Sequence, residues 1–210
     1  MDEKKHSYTG EGLDENNAEA DPLKQFQGWF DEARAAGLPL PEAMTLATAT
    51  KDGRPSARLV LLKHADERGF VFYTNYGSQK AHELDTNPQG ALVFYWPQLE
   101  RQVRVEGSVT RVLAAESDEY FQTRPRESQI GALASPQSEV IPGRDILEQR
   151  FKELAEFYSD REIERPAHWG GYRLQPERIE FWKGRPDRLH DRLLYELDSD
   201  GSWAIKRLAP

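Results

Sequence analysis

The chain has 210 residues and a formal net charge of −8 at pH 7, and its content of 38% hydrophobic and 10% aromatic residues suffices for one folded domain. It contains no cysteine, which excludes disulfides, thiolate metal sites and cysteine nucleophiles. An acidic chain without a basic block is a poor nucleic-acid binder, and no apolar run approaches the roughly 20 residues of a membrane helix, so we expect a soluble, cytoplasmic protein.

The N-terminal region predicts a tail followed by a helix. Residues 1–20 carry four of the eight net negative charges and lack apolar periodicity. We therefore predict a mobile tail over 1–20 and a single domain over 21–210. Asp21 followed by Pro22 is typical of a helix start, and apolar residues at helical spacing continue this helix to Gly37.

Strands dominate the pattern of the rest of the chain. Asp52-Gly53 predicts a hairpin turn between strands over 43–50 and 56–64. Further strands are predicted over 69–74, 90–96, 101–112, 168–174, 178–183, 193–197 and 203–208, and helices over 78–86, 114–134 and 143–158. This order favours a mainly β fold with peripheral helices, in the α+β class and built around a β-barrel.

Cations at two places in the predicted strands suggest anion binding. The chain has no glycine-rich dinucleotide loop and no P-loop, so side chains must hold any phosphorylated ligand. Arg58 and Lys63 lie in an otherwise apolar strand, where simple alternation points them to opposite faces. Phosphate is a suitable partner for a buried cation, although an edge strand with both ends in water explains the pair as well. Lys80, at a predicted helix start, suits an anion site or an ordinary solvated lysine.

A third candidate lies in the predicted helix over 114–134. Tyr120, Arg124 and Ser128 are spaced i, i+4, i+8 and share one face if the segment is helical throughout. Pro125 weakens that prediction, because proline starts a helical turn more readily than it continues one. A phenol, a guanidinium and a hydroxyl suit phosphate, and a solvated helix face is the alternative.

The last candidate segment precedes the predicted strand over 193–197. If residues 188–192 are extended, Arg188, His190 and Arg192 fall on one side. Such side chains repel one another unless an anion or an aromatic ligand lies among them. We predict no metal site, because His190 has no second ligand at a suitable spacing.

Six strings of residues together resemble the pyridoxamine 5′-phosphate oxidase family. They are RLVLLK (58–63), YTNYGSQKA (73–81), FYWPQLERQVRVEG (94–107), YFQTRPRESQIGALASPQS (120–138), HWGGYRL (168–174) and FWKGRPDRLHDR (181–192). The resemblance runs from about Asp21 to Pro210. It implies an FMN-binding split β-barrel and a homodimer with two FMN sites at the subunit interface.

The resemblance also implies roles for individual residues. The FMN-binding residues would be Arg58, Leu59, Val60, Leu61, Leu62, Lys63, Tyr73, Thr74, Gln79, Lys80, Gln102, Gln137, Ser138, Trp182 and Arg192. Gln137, Ser138, Trp182 and Arg192 are expected to reach FMN from the partner subunit. The substrate-binding residues would be Lys63, Tyr120, Arg124, Ser128, Arg188, His190 and, from the tail, Tyr8. Of these, Arg188 and His190 would be the catalytic pair, which covers and orients the substrate ring.

The implied reaction is the oxidation of pyridoxamine or pyridoxine 5′-phosphate by O2 to pyridoxal 5′-phosphate and hydrogen peroxide. A hydride would pass from C4′ of the substrate to N5 of FMN. One alternative is another split-barrel flavin oxidoreductase, of the phenazine-biosynthesis type, and the retained substrate-binding residues argue against it. The second is a non-catalytic carrier of FMN or pyridoxal phosphate, which only turnover excludes.

Overall fold

The computed structural model describes Tyr8 and residues 12–210. In this part of the chain nine β-strands form one antiparallel sheet: β1 (Ala43–Ala49), β2 (Pro55–Leu61), β3 (His64–Asp66), β4 (Gly69–Asn75), β5 (Gln89–Trp96), β6 (Arg101–Arg111), β7 (Trp169–Lys183), β8 (Asp191–Leu197) and β9 (Trp203–Arg207). Five α-helices accompany it: α1 (Pro22–Ala35), α2 (Gln79–Thr86), α3 (Ala114–Thr123), α4 (Arg126–Ala134) and α5 (Arg144–Phe157). The predicted mainly β architecture with peripheral helices is confirmed.

The sheet curls because its longest strand is shared between two sets of neighbours. The strand order is β2-β1-β5-β6-β7-β4-β3, with β8 paired to β7 and β9 to β8. Strand β7 pairs with β6 along one edge, whereas its other edge pairs first with β4 and then with β8. The sheet therefore divides at β7 into a branch through β4 and a branch through β8.

Strand β7 corrects the prediction of two separate strands over 168–174 and 178–183. It continues through Pro176, where the register with β6 shifts between Glu106 and Gly107. A bulge is one of the few places where a sheet accepts proline. Glycine is needed opposite it, because a Cβ on Gly107 would collide with the carbonyl of Gln175.

Helix α1 closes one end of the barrel with aromatic side chains. Its predicted start is confirmed, since the Asp21 carboxylate accepts a hydrogen bond from the N–H of Leu23 at 2.9 Å. The Phe26 ring lies 4.8 Å from Phe70 and 4.9 Å from Phe94, centroid to centroid. The helix thus completes the main core. No helix in the described part of the chain is long and apolar enough to cross a membrane.

The predicted helix over 114–134 is two helices. Helix α3 ends at Thr123 and α4 begins at Arg126, with Arg124 between them in an extended conformation (φ −75°, ψ 146°). Proline disfavours the helical conformation of the residue before it, so Pro125 forces Arg124 out of the helix. Arg124 therefore does not lie on one helical face with Tyr120 and Ser128, as a continuous helix would require.

Residues 12–20 pack against β8 and β9, although the sequence assigned them to the tail. Leu13 is buried in the main core, and its N–H donates to Asp191 Oδ2 at 3.0 Å. The Tyr195 hydroxyl donates to the carbonyl of Glu19 at 2.8 Å. The residues in these contacts are more than 170 positions apart in the sequence, so no local apolar periodicity in residues 12–20 could indicate them. We therefore propose that the domain includes residues 12–20. Residues 1–7 and 9–11 of the predicted tail lie outside the described residues.

We predict that Leu13→Ala lowers the free energy of unfolding by about 2 kcal/mol, the lower end for removing a buried leucine side chain. For a chain of this length that corresponds to a fall in Tm of about 4–8 °C. Thermal unfolding followed by circular dichroism measures it. Leu113→Ala is the control, because Leu113 is 74% exposed. Equal Tm values for the two variants would contradict the packing of Leu13.

Candidate active site

One large cleft gathers most of the predicted site residues. Its volume is about 1120 Å³, above the range of about 300–1,000 Å³ usual for small-molecule sites, so it has room for two ligands. The predicted residues that line it are Arg58, Leu59, Val60, Leu61, Lys63, Tyr73, Thr74, Gln79, Lys80, Tyr120, Arg124, Ser128, Gln137 and Ser138. They come from β2, the end of β4, the start of α2 and the region of α3 and α4.

The cleft is strongly cationic. Arg58, Lys63, Lys80 and Arg124 line it, and none of the described lining residues is acidic. The protein as a whole carries a net charge of −8, so this concentration of positive charge is local. Guanidinium and ammonium groups with nearby hydroxyls form charge-assisted hydrogen bonds to phosphate. The cleft is therefore suited to anionic ligands.

Arg58 and Lys63 line the same cleft, as do Leu59, Val60 and Leu61 between them, so residues of both strand faces reach it and the opposite orientation of the two cations stays a prediction. Strand β2 ends at Leu61, and the N–H of Leu62 donates to the carbonyl of Glu42 at 2.9 Å. Simple alternation no longer holds beyond the strand end. The Leu62 side chain is buried in the core and does not line the cleft, unlike the other predicted residues of this segment.

A buried carboxylate on α2 holds Arg58. The Arg58 guanidinium donates to Thr48 Oγ1 at 2.6 Å and lies 3.3 Å from Glu83 Oε2. Glu83 also accepts from Ser56 Oγ at 2.6 Å and from Gln79 Nε2 at 2.9 Å. Burial alone would raise the pKa of Glu83, but these hydrogen bonds and the charge of Arg58 lower it to about 2. The sequence analysis missed Glu83, whose i+4 spacing from Gln79 on a predicted helix was the available signal.

Lys80 is buried among neutral oxygen atoms. Its Nζ lies 3.2 Å from Thr74 Oγ1 and 3.1 Å from Gln137 Oε1, and no carboxylate of the described residues pairs with it. Burial, aided by the positive charge of Arg58, lowers the pKa of Lys80. A buried ammonium without a counter-charge is costly, and an anionic ligand would relieve that cost.

Gln137 corrects the prediction about which subunit supplies it. Its side chain accepts hydrogen bonds from Thr74 and Lys80 of its own subunit, and Ser138 lines the same cleft. Asn75 adds a hydrogen bond from Nδ2 to the carbonyl of Ser135 at 3.2 Å, which ties the 135–138 segment to the end of β4. Both predicted residues therefore belong with Arg58, not with the residues expected from the partner.

The predicted phosphate-binding residues of α3 and α4 meet in the cleft despite the helix break. Tyr120 lies on α3, Ser128 on α4, and Arg124 in the extended connection before Pro125. The sequence analysis missed Trp169, which also lines the cleft, with its ring centroid 4.5 Å from the Arg124 guanidinium carbon. The string HWGGYRL contained it, but nothing in the spacing linked it to Arg124.

Three other predicted residues form a row on neighbouring strands. Gln102 on β6 is the cross-strand partner of Trp182 on β7, which in turn is the partner of Arg192 on β8. Next to this row the His190 ring lies 4.7 Å from Trp182 and 5.1 Å from Tyr8. None of these five residues lines the cleft of the same subunit. The structure thus divides the predicted site into two parts. One is the cleft, and the other is the row Gln102, Trp182 and Arg192, which we call the aromatic row because the rings of His190 and Tyr8 lie around Trp182.

The segment that carries Arg188 is not extended, which corrects the expectation for 188–192. Residues Pro186–Arg188 form a short 3₁₀ turn, in which Asp187 and Arg188 have φ values of +57° and +62°. Non-glycine residues rarely adopt this conformation, which costs on the order of 1–3 kcal/mol and is common at functional sites. The repulsion argument also fails, because the Glu180 carboxylate binds Arg192 at 2.9 and 3.1 Å.

The comparisons with known proteins place this geometry in a family. Residues 30–158 match the family model described as pyridoxamine 5′-phosphate oxidase. The chain belongs to the pyridoxamine 5′-phosphate oxidase family. Residues 169–210 match a second model, described as the pyridoxine 5′-phosphate oxidase C-terminal dimerisation region, which supports the predicted homodimer. Family membership confirms the predictions of an oxidoreductase with FMN as its cofactor.

Individual relatives agree over nearly the whole chain. The chain is 58% identical to the pyridoxine/pyridoxamine 5′-phosphate oxidase of Trichormus variabilis, over 97% of this chain and 95% of that protein. It is 59% identical to the protein of the same name from Rubrobacter xylanophilus, over 98% and 94% of the two chains.

Two solved structures bear on the fold. The crystal structure of PhzG from Burkholderia lata, in complex with tetrahydrophenazine-1-carboxylic acid, has a TM-score of 0.91 and 31% identity, covering 98% of this chain and 100% of that one. A pyridoxamine 5′-phosphate oxidase-related, FMN-binding protein from Nostoc punctiforme has a TM-score of 0.73 and 18% identity, with coverage of 91% and 100%. The predicted split-barrel fold is confirmed.

Proposed function

We propose that this protein oxidises pyridoxamine 5′-phosphate or pyridoxine 5′-phosphate with O2 to pyridoxal 5′-phosphate and hydrogen peroxide, in the cytoplasm. The observation that carries this proposal is the cleft, which is lined by four cations and by no acidic side chain of the residues that the structure describes. Two phosphates, one on the cofactor and one on the substrate, would match two sets of cations in one cleft. The names of the relatives at 58% and 59% identity support the same reaction.

The residues present fit FMN. Arg58 and Lys80, with the hydroxyl of Thr74, would hold its phosphate, since Lys80 is buried and no carboxylate in the described part of the chain forms an ion pair with it. Leu59 lies next to Arg58 on β2, is 73% exposed, and offers apolar surface to a flavin ring. Bound there, FMN would supply the redox chemistry, in which the hydride leaves C4′ of the substrate and the two electrons reduce O2 to hydrogen peroxide.

The second set of cleft residues would hold the substrate. Lys63 and Arg124 supply charge to its phosphate, while Tyr120 and Ser128 supply hydroxyl groups. Anchoring the phosphate leaves the pyridine ring to be oriented by other groups, which we assign to Arg188 and His190 of the partner subunit. Fixing the reacting atom relative to the cofactor in this way accounts for much of the rate enhancement that such an enzyme needs.

The aromatic row would complete the site of the partner subunit. Gln102, Trp182 and Arg192 do not line the cleft of their own subunit, and the last two lie within the region that matches the dimerisation model. We infer that the row, with His190 and Tyr8 beside it, contacts FMN and substrate in the partner's cleft. A homodimer would then hold two equivalent sites at its interface.

We predict that FMN binds the dimer much more tightly than the monomer, because Gln102, Trp182 and Arg192 would contact it only from the partner subunit. Linkage then requires added FMN to stabilise the dimer. Analytical ultracentrifugation at decreasing protein concentration, with and without FMN, measures this shift. A monomer that keeps its flavin at low concentration would contradict the shared site.

The function is tested by turnover of the purified, FMN-loaded protein. With pyridoxine 5′-phosphate we expect one hydrogen peroxide for each pyridoxal 5′-phosphate formed, and with pyridoxamine 5′-phosphate one ammonia as well. Pyridoxamine without its phosphate is the control and should react far more slowly. Turnover of a reduced phenazine carboxylate alone would favour the activity suggested by the PhzG relative. Tight binding of FMN and pyridoxal phosphate without turnover would favour a carrier.

A further inference from the structure

Trp169 is a buried residue of the cleft to which neither the sequence analysis nor the proposed reaction assigns a role. It begins strand β7, is 6% exposed, and packs in a small core with Phe121, Ile130 and Ile163. Unlike those three residues, it also lines the cleft. Trp169 therefore contacts the small core and also forms part of the cleft wall.

Trp169 belongs to an aromatic stack that includes a predicted substrate contact. The ring of Tyr73 lies 4.0 Å from Tyr120 and 5.3 Å from Trp169, with interplanar angles of 17° and 9°. Tyr73 comes from β4, Tyr120 from α3 and Trp169 from β7. The stack thus ties the helix that carries Tyr120 to two strands of the sheet.

The Arg124 guanidinium is held over Trp169 and not by a carboxylate. Its Cζ lies 4.5 Å from the Trp169 ring centroid, and its Nη1 is buried with no hydrogen-bond partner among the described residues. Burial lowers the pKa of Arg124. A carboxylate would fix the guanidinium by neutralising it, whereas an aromatic face fixes it and leaves its charge and donors available.

We propose that Trp169 is a positioning residue for the substrate phosphate, which acts by holding the Arg124 guanidinium at the cleft so that it meets a phosphate oxygen. This inference rests on the proposed function, because it takes Arg124 as a phosphate ligand. It adds a specificity determinant from β7 to residues supplied by the segment after β2, by α3 and α4, and by the connection between these two helices.

The test compares two ligands that differ only in the phosphate. 4-Deoxypyridoxine 5′-phosphate and 4-deoxypyridoxine can neither be oxidised at C4′ in this reaction nor form a Schiff base with lysine. Each is titrated into the FMN-loaded dimer. We expect Trp169→Leu to raise the Kd of the phosphorylated ligand roughly 3- to 30-fold, the range from an exposed to a desolvated cation–π contact. The Kd of the unphosphorylated ligand and of FMN should stay within about twofold. Trp169→Phe should recover part of the loss.

Two further variants keep the result interpretable. Ile163→Ala removes packing from the same small core without touching Arg124, so it should lower the Tm and leave the ratio of the two Kd values unchanged. In an Arg124→Ala background, Trp169→Leu should have no further effect on that ratio.

The outcomes separate the inference from the proposed function. If Trp169→Leu weakens both ligands equally, or Ile163→Ala changes the ratio as much, Trp169 has only a structural role and the inference fails. If Arg124→Ala itself leaves the ratio unchanged, the assignment of Arg124 to the substrate phosphate fails, and with it that part of the proposed function.

Discussion

Arg188→Leu is expected to lower kcat/KM for pyridoxamine 5′-phosphate by about 100-fold or more while the spectrum of bound FMN stays normal. The substitution removes the positive charge and the hydrogen-bond donors of the Arg188 side chain. Within one subunit this side chain is exposed, in a turn where Asp187 and Arg188 both have positive φ values. We assign this side chain to the substrate ring of the partner's site, where a displacement of about 1 Å can cost about 100-fold in rate. Anaerobic stopped-flow measurement of flavin reduction isolates the affected step.

Two variants serve as comparisons for Arg188. Arg178→Leu removes the same groups from a half-exposed residue of β7 that lies outside both the cleft and the aromatic row, and it should keep the parent rate. His190→Ala should have a milder effect than Arg188→Leu. His190 Nδ1 accepts the N–H of Arg185 at 3.1 Å, so the ring supports the loop that carries Arg188. Parent rates of flavin reduction in Arg188→Leu at saturating substrate would remove Arg188 from the catalytic residues.

Arg58→Ala is expected to weaken FMN binding roughly ten- to hundredfold. A hydrogen bond to a charged group contributes about 1.5–3 kcal/mol, and each 1.4 kcal/mol is about a factor of ten in affinity. The loss should lie toward the upper end of this range, because Glu83 would then lie beside the phosphate without its guanidinium partner. Titration of the apoprotein with FMN, followed by the quenching of flavin fluorescence, gives the Kd.

Lys63→Ala is the matched comparison, since it removes a cation from the same cleft. It should leave the flavin spectrum and FMN affinity near those of the parent and raise KM for the phosphorylated substrate. Equal loss of flavin from the two variants would show that the assignment of two separate phosphates is wrong.

Local chemistry predicted the elements whose signals lie within a few residues. Asp21-Pro22 marked the start of α1, and Asp52-Gly53 marked the β1–β2 turn, where Gly53 has a φ of +87°. The errors arose where distant residues decide. Pro176 remains inside β7 because Gly107 on another strand accommodates the bulge, and Leu13 is buried by residues nearly 180 positions away.

The predicted site residues came from the resemblance, and the structure changes how they are grouped. Side-chain alternation could not place Lys63, because the strand ends before it, and no sequence pattern shows that Gln137 bonds to Lys80. The residues that hold the cations were missed for the same reason. Glu83 and Trp169 are defined by contacts with Arg58 and Arg124 across separate elements.

Anaerobic addition of pyridoxamine 5′-phosphate to the FMN-loaded dimer tests the central claim most directly. The claim is that a phosphorylated pyridine bound in this cleft delivers its C4′ hydride to the flavin. We predict that the oxidised flavin absorbance is bleached with about one substrate consumed per flavin, and that admitting O2 restores it. Flavin that stays oxidised while the substrate is shown to be bound would contradict the account.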